Sequence, residues 1–313
     1  MNDLSKHLGE LYADQIEKGV LTPDVLTAVH HVDVIQDPHS HSFFHLQYNP
    51  GRSQRGVPAR LNPTPRHMIP YKGGIPCFCC LDNIAVQWPQ ERGHFTKIGG
   101  QDCVFLPNIA PVFRHHFTVI DPEHRPQVSD MGLLIETALA LPDYWCVQNG
   151  VDAGATNPWH FHIQVFQDQV PLHHSPGTIL CETPFKTEKV EYPATVYRFS
   201  APCSQSKSFK DALVRKEKAL HQSDPQLRLN TLVIHHQNTL FVYWVIRHLT
   251  CRTDRYKTGQ PGYAEAAGVI CAITPEAYET WKQKGWGLYS QLMGEIALRK
   301  RLEAGVRNIL CNF

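Results

Sequence analysis

The sequence predicts an α+β fold in which an antiparallel sheet is flanked by helices. β-like runs rich in aromatic and β-branched residues recur from Ser42 to Arg247, and helical periodicities that open on capping signals lie before, between and after them. No low-complexity linker divides the 313 residues.

In chain order, residues 1 to 41 read as a helical appendage. Leu4, Leu8 and Leu11 form one stripe, and a second helix opens at Thr22-Pro23-Asp24, where Thr caps and Pro takes the first turn. Ser42 to Asn49 is expected as a strand, and the Gly-, Pro- and Arg-rich stretch Asn49 to Pro70 as a long loop. Runs around Cys103 to Leu106 and Phe117 to Ile120 are expected as neighbouring strands. Ser129 or Asp130 caps a helix whose Met131, Leu134, Ile135, Ala138 and Leu139 keep helical spacing until Pro142; a strand from Tyr144 to Gln148 follows. The second half offers the same kinds of element. A charged helix near Ser208 to His221 precedes a hairpin of Leu229 to His235 with Leu240 to Arg247, and a last helix opens at Thr274-Pro275-Glu276, with an interruption near Gly285 to Gly287.

Composition excludes several functions. The apolar, aromatic and charged shares of 42%, 10% and 19% are those of an ordered globular chain. Thirty basic against 29 acidic residues supply no general attraction for a polyanion, so nucleic acid is not an expected partner. No apolar run approaches membrane-spanning length, and Met1 to Gly19 lacks the apolar core of a signal peptide, so no membrane is expected and the cytoplasm is the default compartment. In that setting the ten cysteines are expected as thiols or metal ligands. The 19 histidines are the compositional oddity, since imidazole is the side chain most often recruited near neutral pH.

The most informative segment is the loop Asn149 to Pro158 followed by Trp159 to Phe166. Its alternation places Trp159, Phe161, Ile163 and Val165 on one face of a strand and His160, His162 and Gln164 on the other. A neutral imidazole can attack phosphorus and divide one hard exchange into two displacements. His162 is expected to attack, His160 to orient or bind a metal, and the Gln164 amide to donate to a phosphoryl oxygen without adding charge. The loop, with Gly154 in it, can bring backbone N–H groups to the phosphates. The adjacent pairs His115-His116, His173-His174 and His235-His236 point to opposite faces if extended and are poor joint ligands.

The run from Asn149 through Gly154, Thr156, Asn157, Pro158, His160 and His162 to Gln164 resembles the active-site segment of galactose-1-phosphate uridylyltransferases and their phosphorylase relatives. Those relatives, the diadenosine tetraphosphate and GDP-hexose phosphorylases, belong to the histidine-triad superfamily. Three further stretches agree in order: Tyr48-Asn49-Pro50 with Arg52, Arg55 and Arg60; Cys77-Phe78-Cys79-Cys80 with Asn83; and Asn108 to Gln127. The run Phe117 to Gln127 is most similar to the phosphorylase branch. Trp159 is a departure, because the uridylyltransferases run Pro directly into the first His.

The resemblance implies two related modules, with a catalytic histidine-triad-like module at 42–170 and a second at 171–313. It implies a nucleotidyl-His162 intermediate with Gln164 as phosphoryl donor, and Asn149, Thr156 and Asn108 as phosphate or ribose contacts. Arg52, Arg55 and Arg60 suit phosphate because a guanidinium binds it bidentately. Cys77 and Cys80 have a common zinc-ligand spacing, for which the resemblance supplies His124 and His160; Cys79, His94 and Cys103 are the alternative ligands. The expected activity is a nucleotidyltransferase or phosphorylase, with a dinucleoside polyphosphate or nucleoside diphosphate sugar as donor and phosphate or a sugar phosphate as acceptor. A hydrolase and a catalytically idle nucleotide-binding protein are the alternatives; Gln164, where hydrolases of the superfamily often carry a third His, favours transfer. A homodimer is left open.

Overall fold

The computed structural model describes residues 3–54, 77, 79–87, 91–155, 157–251 and 261–312. The strands are β1 (Val32–Gln36), β2 (Phe43–Tyr48), β3 (His94–Ile98), β4 (Gln101–Pro107), β5 (Arg114–Ile120), β6 (Trp145–Asn149), β7 (His162–Gln167), β8 (Gly177–Cys181), β9 (Lys186–Val190), β10 (Val196–Pro202), β11 (Leu227–His236), β12 (Thr239–His248) and β13 (Val269–Ala272). The helices are α1 (Asp3–Glu17), α2 (Pro23–His30), α3 (Leu81–Gln87), α4 (Met131–Ala140), α5 (Pro171–His174), α6 (Ser206–Ser223), α7 (Tyr263–Ala266), α8 (Pro275–Ile296) and α9 (Lys300–Asn312).

Local chemistry explains several boundaries. Asp130 caps α4 by accepting from the Leu133 amide at 2.8 Å, and Thr274 caps α8 through the Ala277 amide at 3.2 Å. Thr22 has the extended backbone of a cap before α2 but makes no side-chain cap bond, so Pro23 alone marks that start. The interruption expected in α8 is found at Gly285, whose non-helical φ of 53° and ψ of −140° kink the helix there.

The architecture is α+β. Ten strands form one antiparallel sheet in the order β3-β4-β5-β7-β6-β11-β12-β10-β9-β8. Counted from each edge to the centre, the halves read β3-β4-β5-β7-β6 and β8-β9-β10-β12-β11, so each strand has a counterpart five places on. A helix follows the third strand in both, α4 in one and α6 in the other. The expected pair of related modules is therefore visible as topology; a division between residues 170 and 171 follows it and stands as a proposal. The halves join where β6 meets β11, from Trp145↔Ile234 to Asn149↔Asn230.

A second sheet, β1-β2-β13, includes a parallel pairing of β2 with β13, which brings residues 43–48 against 269–272. The β-strand periodicity of two assigns residues to faces. On one face of the large sheet Phe161, Ile163, Val165, Val242 and Trp244 pack with Leu8, Leu134, Phe209 and Leu310 from α1, α4, α6 and α9. On the other, Val147, Phe166, Leu232 and Tyr243 pack with Phe44, Tyr263, Val269 and Tyr289 from β2, α7, β13 and α8. His162 and Gln164 alternate with Ile163 and Val165 and so face this second layer. Among the described residues no helix is long and apolar enough to cross a membrane.

Leu134 is fully buried between α4 and the sheet. Leu134→Ala should lower unfolding free energy by about 2–5 kcal/mol in urea titrations, the usual cost of lost burial plus a cavity.

Candidate active site

The site is built where β7 begins. Register pairs Ile120 of β5 with His162, whereas β6 pairs with β7 only from Trp145↔Phe166 to Val147↔Gln164. The ladder therefore opens one step before the nucleophile candidate, and Gln127 fills the opening with its side-chain amide. Its Oε1 accepts from the His162 backbone N–H at 2.8 Å, and its Nε2 donates to the carbonyls of His162 at 2.9 Å and Asn149 at 3.2 Å. Phe161 N–H donates to Arg125 O at 2.7 Å and Gln127 N–H to Pro158 O at 3.0 Å, so the Asp121 to Gln127 stretch runs alongside residues 158–162. The Arg125 guanidinium lies 3.7 Å from the centre of the Phe161 ring.

The strand starts later than the alternation suggests. Asn157 Oδ1 accepts from Trp159 N–H at 3.3 Å, Trp159 and His160 lie in a turn, and β7 begins at His162. His160 thus leaves the strand face expected for it and swings toward the cysteines. Its Nε2 donates to Asp121 O at 2.9 Å, which leaves Nδ1 as the lone-pair nitrogen. That nitrogen lies 3.4 Å from Cys77 Sγ and 3.6 Å from Cys80 Sγ, and His124 Nδ1 lies 3.0 Å from Cys80 Sγ.

All four ligand atoms are within 4.8 Å of one another, so Cys77, Cys80, His124 and His160 could hold a metal ion. Asn83 Nδ2 donates to Cys77 O at 2.8 Å and Asn157 Nδ2 to Cys77 Sγ at 3.3 Å, supports of the kind that orient ligands. Hydrogen bonding from Cys79 and Cys80 holds the Cys77 thiol well below its ordinary range. The contact with Cys77, together with burial, pushes Cys79 well above its own. A bound cation would favour the thiolate form of both coordinating thiols, Cys77 and Cys80. Of the alternative ligands, His94 stacks on His7 and Cys103 Sγ donates to Gln101 O at 3.6 Å; neither belongs to the group.

His162 Nδ1 lies 2.9 Å from the carbonyl oxygen of His160. A carbonyl only accepts, so Nδ1 carries the proton and Nε2 keeps its lone pair. Gln164 is oriented as strictly. His116 Nδ1 accepts from Val112 N–H at 3.2 Å, so its Nε2–H donates to Gln164 Oε1 at 2.6 Å, and the Tyr263 hydroxyl donates to the same oxygen. With Oε1 taken by two donors, the Gln164 amino group is turned away from them.

The other expected residues occupy different positions. Asn149 is engaged throughout: Oδ1 accepts from Asn230 Nδ2 at 2.6 Å and Tyr263 N–H at 2.7 Å, and Nδ2 donates to Gly154 O at 3.1 Å. Gly154, at φ 87°, lies so close to the second half that a Cβ would come within 2.5 Å of Gly262 Cα. Asn108 Oδ1 accepts from Ala110 N–H at 3.0 Å, and its Nδ2 lies 3.5 Å from His116 Nε2. Arg52 donates to Ala110 O, beside Asn49 on Pro111 O at 3.1 Å and Gln47 on Val112 O at 2.5 Å, so these three side chains hold the turn before β5. Arg55, Arg60 and Thr156 lie outside the described residues.

Gln127, His116 and Tyr263 were not singled out from the sequence. His115 and His116 do point apart: His115, at φ 46° beside a bulge, stacks on Tyr12 at 4.9 Å while His116 is buried against Gln164. A cavity of about 620 Å³ lined by Tyr12, Ile16, Leu26, His30, Arg114 and His115 lies at that end of β5, opposite the Ile120↔His162 end.

Comparison with solved structures places the architecture in a known class. Yeast Ap4A phosphorylase Apa2 in complex with Ap4A matches with a TM-score of 0.62 over 95% of this chain and 98% of that one, at 14% identity. Its complex with AMP gives 0.62 over 95% and 97%, also at 14% identity. An ADP-glucose phosphorylase from Arabidopsis thaliana matches at 0.37 and 10% identity over 86% of this chain and 100% of that one, too loose a likeness to argue from. The fold is thus the histidine-triad-type fold expected from the sequence. Residues 11–167 match the family described as "Domain of unknown function (DUF4922)", and the chain belongs to that family. No curated protein matches the chain in sequence.

Gln127→Ala strips partners from three backbone groups where the ladder opens. Urea unfolding should show a loss of about 1–3 kcal/mol, the cost of unsatisfied buried polar groups. An unchanged midpoint would mean that the Gln127 amide does not hold the start of β7.

Proposed function

We propose that this protein transfers a nucleoside monophosphate from a nucleotide donor to phosphate or a sugar phosphate, through a nucleotidyl group carried on His162. The observation that carries the reading is the His162 tautomer. Its Nδ1–H is tied to the His160 carbonyl and its Nε2 lone pair is kept, with the Gln164 amide on the same strand face. The likeness in fold to a phosphorylase that binds Ap4A and AMP supports the choice of donor class.

In the first displacement the Nε2 lone pair forms a bond to the α-phosphorus, and the bond from that phosphorus to the leaving phosphate oxygen breaks with its electron pair on the oxygen. The imidazole gains positive charge, and the hydrogen bond from Nδ1 to the His160 carbonyl strengthens as it does. Gln164 Nε2 donates to a phosphoryl oxygen as charge shifts onto it, without the repulsion a second cation would bring to the imidazolium. In the second displacement an oxygen of the acceptor attacks the same phosphorus, the P–N bond breaks, and Nε2 recovers its lone pair. Burial of His162 and Gln164, each 6% exposed, limits the access of water.

The metal reading is zinc. Two thiols and two imidazoles are the donor set of a closed structural zinc site, and the separations of 3.0–3.6 Å between sulfur and nitrogen suit ligands about 2.0–2.3 Å from one centre. Bound there by Cys77, Cys80, His124 and His160, zinc would supply rigidity to the turn whose carbonyl supports His162.

Two measurements test these readings. Purified protein should carry about one zinc per chain by metal analysis, and Cys80→Ser should lose it together with thermal stability; a metal-free protein that is folded and active would remove the site. Incubation with dinucleoside polyphosphates or nucleoside diphosphate sugars, without acceptor, should add the mass of one nucleoside monophosphate to His162. The adduct should be acid-labile, alkali-stable and discharged by the right acceptor. His162→Ala should abolish it in a folded protein. Turnover retained by His162→Ala, or an adduct on another residue, would overturn the mechanism, and release of free monophosphate in buffer alone would make the protein a hydrolase.

A further inference from the structure

Gln164 meets a residue 99 positions further along the chain, Tyr263, which the reading above does not use. Tyr263 opens α7, a helix of four residues from the second half of the chain, and its ring is 5% exposed. That ring packs with Phe113 and Phe166 at 6.1 Å, and the edges of both phenylalanines also hold the His116 ring at 5.7 Å.

The position of Tyr263 is determined by a buried polar network. Its N–H donates to Asn149 Oδ1 at 2.7 Å, and that oxygen also accepts from Asn230 Nδ2 at 2.6 Å. Arg247 donates through Nη2 to Asn230 Oδ1 and through Nη1 to Pro261 O at 2.8 Å. Gly262 N–H donates to Glu265 at 2.8 Å, which closes the start of the helix. The close approach of Gly154 to Gly262 seats this segment against the loop that leads into β7. The tyrosine ring therefore arrives at Gln164 with little freedom, and its hydroxyl lies 3.1 Å from His116 Nε2.

We propose that Tyr263, together with His116, is a positioning residue for nucleotidyl transfer, fixing Gln164 so that its amino group faces the phosphoryl group attacked by His162. The inference rests on the function proposed above. A glutamine amide has two orientations that differ by half a turn, and only one places an acceptor against the His116 N–H and the Tyr263 O–H. The reversed amide would set donors against donors in a buried site, so the pair selects the orientation before any nucleotide arrives. It also makes the catalytic strand of the first half dependent on the second half for its alignment.

Tyr263→Phe keeps the ring and removes only the hydroxyl. Its thermal midpoint, and the Kd for whichever of AMP, GMP and UMP binds the wild-type protein, should stay within twofold for Kd and within a few degrees for the midpoint. The single-turnover rate of adduct formation on His162 should fall about tenfold, as for a partly misaligned phosphoryl donor. In a Gln164→Ala background the same change should have no further effect, because the two residues act as one unit. The Gln164 side-chain amide resonances, assigned by ¹⁵N NMR, should shift in Tyr263→Phe even without nucleotide. Unmoved amide resonances, an unaltered rate, or an equal loss with and without Gln164 would each overturn the role. A wild-type protein that places no nucleotide on His162 from any donor would overturn the transfer reading and this role with it, whereas wild-type transfer that is indifferent to Tyr263→Phe would overturn the role alone.

Discussion

The pairing of β6 with β11 is the constraint on which the remaining structure depends. It joins two five-stranded halves into one sheet, and it ends at Asn149↔Asn230, where backbone pairing passes into side-chain hydrogen bonding. From that point one buried network reaches the loop before β7 through Ala153 and Gly154 and the start of α7 through Tyr263. Burying so many polar groups is tolerable only because nearly all are paired. Arg247 shows the tension most clearly: burial lowers its guanidinium to about 10, partly countered by the charge of Glu265.

The ends of β7 show how a sheet can be regular for packing and irregular for chemistry. Toward Phe166 the strand has neighbours on both sides; toward His162 it loses β6 and is held by a glutamine side chain instead. The opening lets the preceding turn carry His160 away from the sheet, so two histidines separated by one residue serve different purposes. One contributes its backbone carbonyl to the His162 imidazole and its ring nitrogen to the cysteine cluster. The other, on the strand, has its proton on Nδ1 and its lone pair on Nε2.

Much of this was legible in the sequence because it depends on short-range pattern. Alternation separated Ile163 and Val165 from His162 and Gln164, and the capping residues Asp130 and Thr274 located their helices. Cys77, Cys80, His124 and His160 were named together from a resemblance, and they lie together. The same alternation extended β7 back to Trp159, since a strand and a turn held by Asn157 share one pattern of apolar residues there. Strands β1, β3, β8, β9, β10 and β13 were not foreseen; they are four to seven residues long, and β1, β3 and β8 lie at sheet edges where half-exposure blurs the pattern. Treating His115-His116 as a pair rightly excluded joint ligation but concealed His116 acting alone. The repeated strand order was invisible because long-range pairing sets it and no local pattern encodes it, and nothing local to Tyr263 points 99 residues back to Gln164.

The parallel pair of β2 with β13 has a temporal consequence. A ribosome releases residues 43–48 long before residues 269–272, so β2 emerges without the strand that will cover it and waits for nearly the whole chain. Contacts of such sequence separation form slowly, because a long loop must close before any of their energy is gained. The pairing acts as a clasp: the last of the described strands to be made completes the second sheet, and the segment just before it delivers the tyrosine that meets Gln164. A nascent chain paused at the end of its first half would hold His162 and Gln164 but not the Tyr263 hydroxyl, so the hydrogen bond that fixes the Gln164 oxygen forms in one late step instead of growing with length.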